Sequence, residues 1–110
     1  NLGFDQSLSE TEFPRMSDRE ILVRMLRNLK GIYSRSDLAR CLKVQERISC
    51  LLPDDPAETR DLGVLYFQSG RPMHAVRTLE RVLRDHPTWP ERPSAETYLA
   101  RAMREAVLLN

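Results

Sequence analysis

Hydrophobic residues recur at every third or fourth position along most of this chain, which is the spacing of helices with one buried face. The pattern predicts five helices, at about residues 18–35, 37–51, 56–69, 72–85 and 94–108. No strand is expected between residues 18 and 86. The chain is therefore predicted to be all-α, with tight turns between neighbouring helices.

Polar residues and glycine mark the predicted helix ends. Ser17 and Glu20 form the S-x-x-E pattern of a capping box before the first helix. Asp55 and Glu58 repeat this spacing before the third helix, where both are expected to cap. Gly70 can adopt the left-handed conformation that ends a helix. These signals predict a helix–turn–helix unit that starts near residue 56.

An earlier part of the chain aligns with this unit. The segment "RNLKGIYSRSDLARCLKVQERI" matches "RDLGVLYFQSGRPMHAVRTLERV" at an offset of 33 residues in the first helix and 34 in the second. The matched pairs are Arg27 with Arg60, Leu29 with Leu62, Tyr33 with Tyr66, Cys41 with Ala75 and Glu46 with Glu80. A helix–turn–helix unit with this period is typical of tetratricopeptide repeats.

The repeat pattern predicts which residues lie in the core. Leu29, Tyr33, Leu62, Tyr66, Ala75, Leu79 and Val82 are expected to be buried. Small residues at positions 41, 63 and 75 are expected to let adjacent helices approach closely. The predicted fold is all-α, with about two tetratricopeptide-like helical hairpins in a right-handed superhelical array. A last helix, capped by Ser94, is expected to cover the open end, and a generic helical bundle is the alternative.

Two longer segments, "REILVRMLRNLKGIY" and "LLPDDPAETRDLGVLYFQSG", resemble bacterial SirB-type proteins over residues from about Phe13 to Pro87. In that family a transglutaminase-like domain precedes a C-terminal tetratricopeptide region. The resemblance implies that residues 17–110 form the repeat domain and that an enzyme-like domain lies upstream. Residues 1–16 are then a leader or an interdomain linker, and the initial Asn1 suggests a fragment of a longer protein.

Composition excludes several classes of function. The 110 residues include 17 Lys and Arg and 16 Asp and Glu, so no overall charge favours nucleic acid or membrane as a partner. No apolar run reaches the ~20 residues of a membrane span. The two histidines and two cysteines lack the spacing of metal ligands or of a catalytic set, and no Gly-rich loop is present. We therefore expect no cofactor, no metal and no catalytic residue in this chain.

The spacing of the two cysteines bears on where in the cell the protein is expected. Cys41 and Cys50 fall on opposite faces of one predicted helix, roughly 13 Å apart along its axis, which is too far for a disulfide. Both are expected to be free thiols, Cys41 slow and Cys50 faster to react. Unpaired thiols suit a reducing environment, so we expect the protein in the cytoplasm.

Basic residues are concentrated between residues 15 and 47, where nine basic side chains accompany four acidic ones. In a tetratricopeptide repeat the first helix of each pair lines a concave groove. The groove-facing positions predict a partner-binding surface made of Arg24, Arg27, Arg35, Arg60, Phe67 and Gln68. Its arginines are expected to be solvated and to hold a carboxylate or an acidic peptide through bidentate hydrogen bonds.

Other uses of this surface stay open. The upstream domain of the parent chain could dock on it, the acidic leader from Asp5 to Glu12 could fold onto it, or it could be a solvated helix face. Trp89 is expected to pack over the end of the second repeat, with an exposed anchor for a partner as the alternative. The predicted function is a non-catalytic protein–protein interaction module of a larger protein. The alternative is a structural part of a transglutaminase-like enzyme that shapes or covers an upstream active site.

Overall fold

The computed structural model describes residues 15–109, with side chains to residue 108. Residues 15–109 form five helices, which are α1 (Asp18–Tyr33), α2 (Leu38–Leu51), α3 (Pro56–Gln68), α4 (Pro72–Asp85) and α5 (Arg92–Leu109). No strand occurs within residues 15–109. The all-α prediction is confirmed, and every helix end lies within two residues of its expected position. Most of the predicted leader, including Asp5 to Glu12, lies outside the described residues.

Two of the predicted helix ends have the expected chemistry. At the start of α1, the Ser17 side chain accepts from the Glu20 N–H at 3.1 Å, and the Glu20 carboxylate accepts from the Ser17 N–H at 2.8 Å. This reciprocal pair confirms the capping box. Gly70 ends α3 with a φ of +77°, which glycine adopts without the strain that a Cβ would add.

The start of α3 departs from the prediction. The Asp55 side chain accepts from the N–H groups of Ala57 and Glu58 at 3.0 and 3.2 Å, as an N-cap should. The capping role expected of the Glu58 side chain is wrong, because its carboxylate turns towards α1 and α2 and binds their side chains. The same sequence spacing therefore yields a full capping box at α1 and a single cap at α3.

The helices form a line in which each packs against the next. Contacts join α1 to α2, α2 to α3, α3 to α4 and α4 to α5, and α3 also touches α5. Between α1 and α3, in contrast, long side chains make the connection. This nearest-neighbour packing is that of a repeat array rather than of a bundle around one central core.

Within residues 15–109, three hydrophobic clusters follow this order. Leu26 of α1 packs with Val44 and Ile48 of α2. The contact between α2 and α3 consists of Cys41, Leu42, Leu62 and Leu65, and that between α4 and α5 of Ala75, Leu79, Val82, Ala95 and Ala102. A Cβ built on Gly63 would lie 2.6 Å from the Cγ of Leu79, so α3 and α4 approach more closely than any larger residue permits. Small residues therefore stand where helices meet most tightly, as predicted.

Several expectations about individual residues need correction. Leu62, Ala75, Leu79 and Val82 are buried as predicted, and Tyr33 and Tyr66 are half-buried. The prediction for Leu29 is wrong, because its side chain is 37% exposed on a side of α1 that no described helix covers. Ser94 does not cap α5. The helix begins at Arg92, and the Ser94 hydroxyl donates to the Glu91 carbonyl at 2.8 Å within the first turn.

The two cysteines differ in burial. Both are free, with Cys41 buried and Cys50 exposed. Burial raises the pKa of the Cys41 thiol and the charge of Asp61 adds to this, while Lys30 opposes it. We expect a thiol reagent to modify Cys50 at once and Cys41 at least about a hundredfold more slowly, because only a local opening exposes Cys41. Labelling with and without denaturant, followed by mass spectrometry, measures this ratio, and equal rates would contradict the packing of α2.

Candidate interaction surface

An open groove lies beside the first half of α1, where the α2–α3 turn comes alongside it. Its volume is about 600 Å³. The groove is lined by Met16, Arg19, Glu20, Val23, Arg24, Arg27, Asn28, Leu52 and Asp55. Two of the six predicted site residues, Arg24 and Arg27, therefore share one concavity, together with a third arginine and an amide.

The acidic residues in this groove already have partners. The carboxylate of Glu20 accepts from the backbone of Ser17, and that of Asp55 caps α3. Arg24, in contrast, is exposed, and among the described residues it makes a weak contact of 4.0 Å with the sulfur of Met16. Within residues 15–109, the guanidinium of Arg24 thus has no strong acceptor and lies beside the apolar side chains that line the groove.

Arg27 is held in place by α3. Its Nη2 lies 2.9 Å from the Glu58 carboxylate and 3.7 Å from that of Asp55, and its Nε donates to Glu58 at 3.0 Å. The side chain is nevertheless half-exposed, and none of these contacts with described residues uses Nη1. Arg27 is therefore an oriented cation at the edge of the groove, rather than the fully solvated one expected from the sequence.

Glu58 is the centre of a network that joins three helices. Its carboxylate accepts from Lys30 of α1 at 3.1 Å and from the amide of the fully buried Gln45 of α2 at 2.9 Å, besides Arg27. Lys30 also donates to Asp61 of α3 at 2.7 Å. Burial of the carboxylate would raise the pKa of Glu58, but the hydrogen bonds from Gln45, Lys30 and Arg27 outweigh burial and lower it. These bonds stabilise the charged form and connect the two repeats.

Arg60 occupies a different environment from Arg24. Its guanidinium contacts Asp61 at 2.8 Å, Glu91 at 3.2 Å and the Ser94 hydroxyl at 2.8 Å, and it lies 5.4 Å from the ring centre of Trp89. Only 19% of the side chain is exposed. The expectation of a solvated Arg60 is therefore wrong, because the start of α5 supplies partners that the sequence pattern did not reveal. Trp89 packs against the α4–α5 cluster as expected.

The remaining predicted residues are spread along the surface. Arg35 is exposed just beyond α1, and Gln68 is exposed at the end of α3. Phe67 is half-buried and packs edge-on against Tyr98 of α5, with ring centres 6.0 Å apart. Sequence reasoning missed Arg19 and Leu52 as groove residues. The position of Arg19 in the basic segment could have indicated its place in the groove. No sequence pattern pointed to Leu52, because the α2–α3 turn brings it there.

A metal site and a membrane span each require a particular arrangement of residues. Between residues 15 and 109, His, Cys, Asp and Glu side chains form no group of three or more that could hold a metal ion. Over the same residues, no helix is long and apolar enough to cross a membrane.

Helical pairs that stack in a line, each packed against the next, define the class of helical repeat proteins. Within that class, the tetratricopeptide repeat family model matches residues 29–106, and the chain belongs to this family. The match begins near the end of α1 and covers α2, α3, α4 and most of α5.

Two curated relatives, both described as UPF0162 proteins of Xylella fastidiosa, are similar to the chain. The protein of strain Temecula1 / ATCC 700964 is 39% identical over 71 residues, and that of strain 9a5c is 38% identical over 71 residues. Each alignment covers 64% of this chain and 25% of the relative. The chain thus matches about a quarter of the length of these relatives. No solved structure gives a significant match.

Proposed function

We propose that this chain is a protein–protein interaction module that binds a carboxylate-bearing segment of a partner in the groove beside α1. The observation that carries this proposal is the placement of Arg24 and Arg27 in one open groove with apolar walls. Membership of the tetratricopeptide repeat family supports an interaction role in general, and the groove chemistry supports an acidic partner.

The groove suits an acidic peptide better than a neutral one. A guanidinium pairs with a carboxylate through two parallel hydrogen bonds, and these are stronger than bonds between neutral groups. Val23 and Leu52 provide apolar surface for a hydrophobic side chain next to the acid. Because Glu58 already orients Arg27, less side-chain entropy is lost when the partner binds.

The rest of the predicted surface has supporting roles in this proposal. Arg35 and Gln68 are exposed and would extend the contact along α1 and α3. Arg60 and Phe67 would act indirectly, because their contacts with Ser94 and Tyr98 of α5 hold that helix against α3. We further propose a location in the cytoplasm, which the two free thiols support.

A larger parent protein is part of the proposal. The alignment with only 25% of each UPF0162 relative supports a module within a longer chain. The resemblance to SirB-type proteins suggests that this chain carries a transglutaminase-like domain upstream. The second candidate function follows from this context: the helices would shape or cover the active site of that domain.

Binding of a labelled peptide rich in glutamate and leucine, compared with its glutamine counterpart, tests the groove directly. We expect Arg24→Gln to weaken binding of the glutamate peptide by about tenfold or more, because a hydrogen bond to a charged group contributes about 1.5–3 kcal/mol. The affinity should also fall steeply with added salt, since exposed charges are screened within about 8–10 Å. Fluorescence anisotropy at several salt concentrations measures both effects.

The matched control is Arg77→Gln, which removes the same charge from an exposed position of α4. It should leave the affinity unchanged, and both variants should keep the wild-type melting temperature because exposed substitutions change stability little. Equal affinity for the glutamate and glutamine peptides, or equal losses in the two variants, would refute the carboxylate-binding groove.

A further inference from the structure

A second surface of α1 is apolar and only partly covered by the described residues. It consists of Ile21, Leu22, Met25, Leu29 and Ile32, whose exposed fractions range from 37 to 64%. Single exposed hydrophobic residues are common on proteins, but five on one side of one helix form a continuous patch. This apolar side lies apart from the groove, since none of its five residues lines that concavity.

The repeat register shows what such positions do in α3. Met25, Leu29 and Ile32 are spaced i, i+4 and i+7, and an offset of 33 residues places Glu58, Leu62 and Leu65 at the same positions. All three residues of α3 are buried. Leu62 and Leu65 pack against Cys41 and Leu42 of α2, and Glu58 accepts from Gln45 of the same helix. In the second repeat, the preceding helix therefore covers this side.

The last helix repeats the arrangement. Ala95, Leu99 and Ala102 of α5 have the same i, i+4 and i+7 spacing. Ala95 and Ala102 are fully buried in a cluster with Ala75, Leu79 and Val82 of α4, and Leu99 packs against that cluster. Of the described helices α1, α3 and α5, the last two thus bury this side against the helix that precedes them, whereas α1 does not.

We infer that the apolar side of α1 is the docking surface for an amphipathic helix supplied by the preceding part of a longer protein. This helix would lie against α1 as α2 lies against α3, so the surface continues an interface that the array already uses twice. It should present a small residue and a leucine, as α2 does with Cys41 and Leu42. The match to only a quarter of each relative leaves ample polypeptide to supply such a helix. The inference does not depend on what the groove binds.

Protection of an engineered thiol tests this surface. Ile32→Cys in a Cys50→Ser background places one exposed thiol on the apolar side, while the native Cys41 stays buried. We expect its labelling to be about tenfold slower or more in the full-length protein than in the 110-residue chain, because a packed helix must open before the reagent enters. The control, Arg77→Cys in the same background, should be labelled equally fast in both proteins.

Each other outcome would overturn the inference. Equal labelling of position 32 in the two proteins means that no upstream helix covers α1. Slow labelling of the 110-residue chain that becomes faster on dilution means that a second copy covers it. Slow labelling of that chain at every concentration means that its own first residues do so.

Discussion

Replacing Glu58 with alanine is expected to lower the free energy of unfolding by about 2–3 kcal/mol, because the substitution removes a buried carboxylate that accepts from Gln45, Lys30 and Arg27. Gln45 is fully buried and loses the carboxylate acceptor of its amide, while Lys30 and Arg27 lose an anion at about 3 Å. The partial exposure of Arg27 keeps the expected loss below that of a completely buried ion pair. Urea unfolding, monitored by circular dichroism, measures the change.

The matched control is Glu80→Ala, which removes a carboxylate from an exposed position of α4. We expect it to change the free energy of unfolding by no more than about 0.5 kcal/mol. If the two alanine variants were equally stable, Glu58 would contribute nothing beyond a surface charge, and the network between the repeats would not stabilise the fold.

The same network makes the stability sensitive to acid. Since the folded-state pKa of Glu58 lies below its ordinary value of 4.5, its stabilising contribution is complete above that value. The contribution is lost as the pH falls from 4.5 through the lowered folded-state pKa. The difference in stability between the wild type and Glu58→Ala should therefore be constant above about pH 6 and decrease below about pH 4.5. A difference that grew on acidification would contradict this sign.

Replacing Gly63 with leucine is expected to cost about 3 kcal/mol or more, at or above the upper end of the usual range for overpacking. The first added atom, Cβ, would already lie 2.6 Å from the Cγ and 2.7 Å from the Cδ2 of Leu79. Leu79 is fully buried, so it cannot move into solvent to make room. The added side chain must either push α3 and α4 apart or force Leu79 out of its preferred rotamer. Both changes destabilise the fold, and thermal unfolding measures them as a lower melting temperature.

Gly31→Leu is the comparison that isolates the packing effect. It makes the same substitution within α1, where an added Cβ would meet no atom within 4 Å. Because leucine favours the helix over glycine by up to about 1 kcal/mol, this variant should be neutral or slightly stabilised. Similar melting temperatures for the two leucine variants would show that Gly63 is not needed for the close approach of α3 and α4.

The hydrophobic period and the helix-end signals were sufficient to predict the five helices. Both are local: a helix forms where apolar residues recur on one side, and it ends where the chain offers a cap, a proline or a left-handed glycine. Ser17 and Gly70 act as their sequence context indicates. The internal offset of 33 residues then gave the order of packing, because each repeat must cover the exposed face of its neighbour.

The partners of the charged residues depended on tertiary structure. Glu58 has the spacing of a capping residue, yet it binds Lys30, 28 residues earlier in the chain, and Gln45, 13 residues earlier. Arg60 was expected on a solvated face, yet Glu91 and Ser94 of a later segment take up its donors. A long polar side chain can reach acceptors on several helices, and its choice follows from distances that no local pattern contains.

The sequence by itself determined the helices, their repeat order and the small residues where helices meet, because these follow from local propensity and from hydrophobic positions that recur with the repeat. Only the tertiary structure decided which arginines remain available and which side of α1 is left uncovered. Leu29 and Leu62 are equivalent in the repeat, yet one is exposed and the other is buried. The difference arises because α2 precedes α3, whereas no described helix precedes α1. Burial depends on the neighbour that covers a residue as well as on the residue itself.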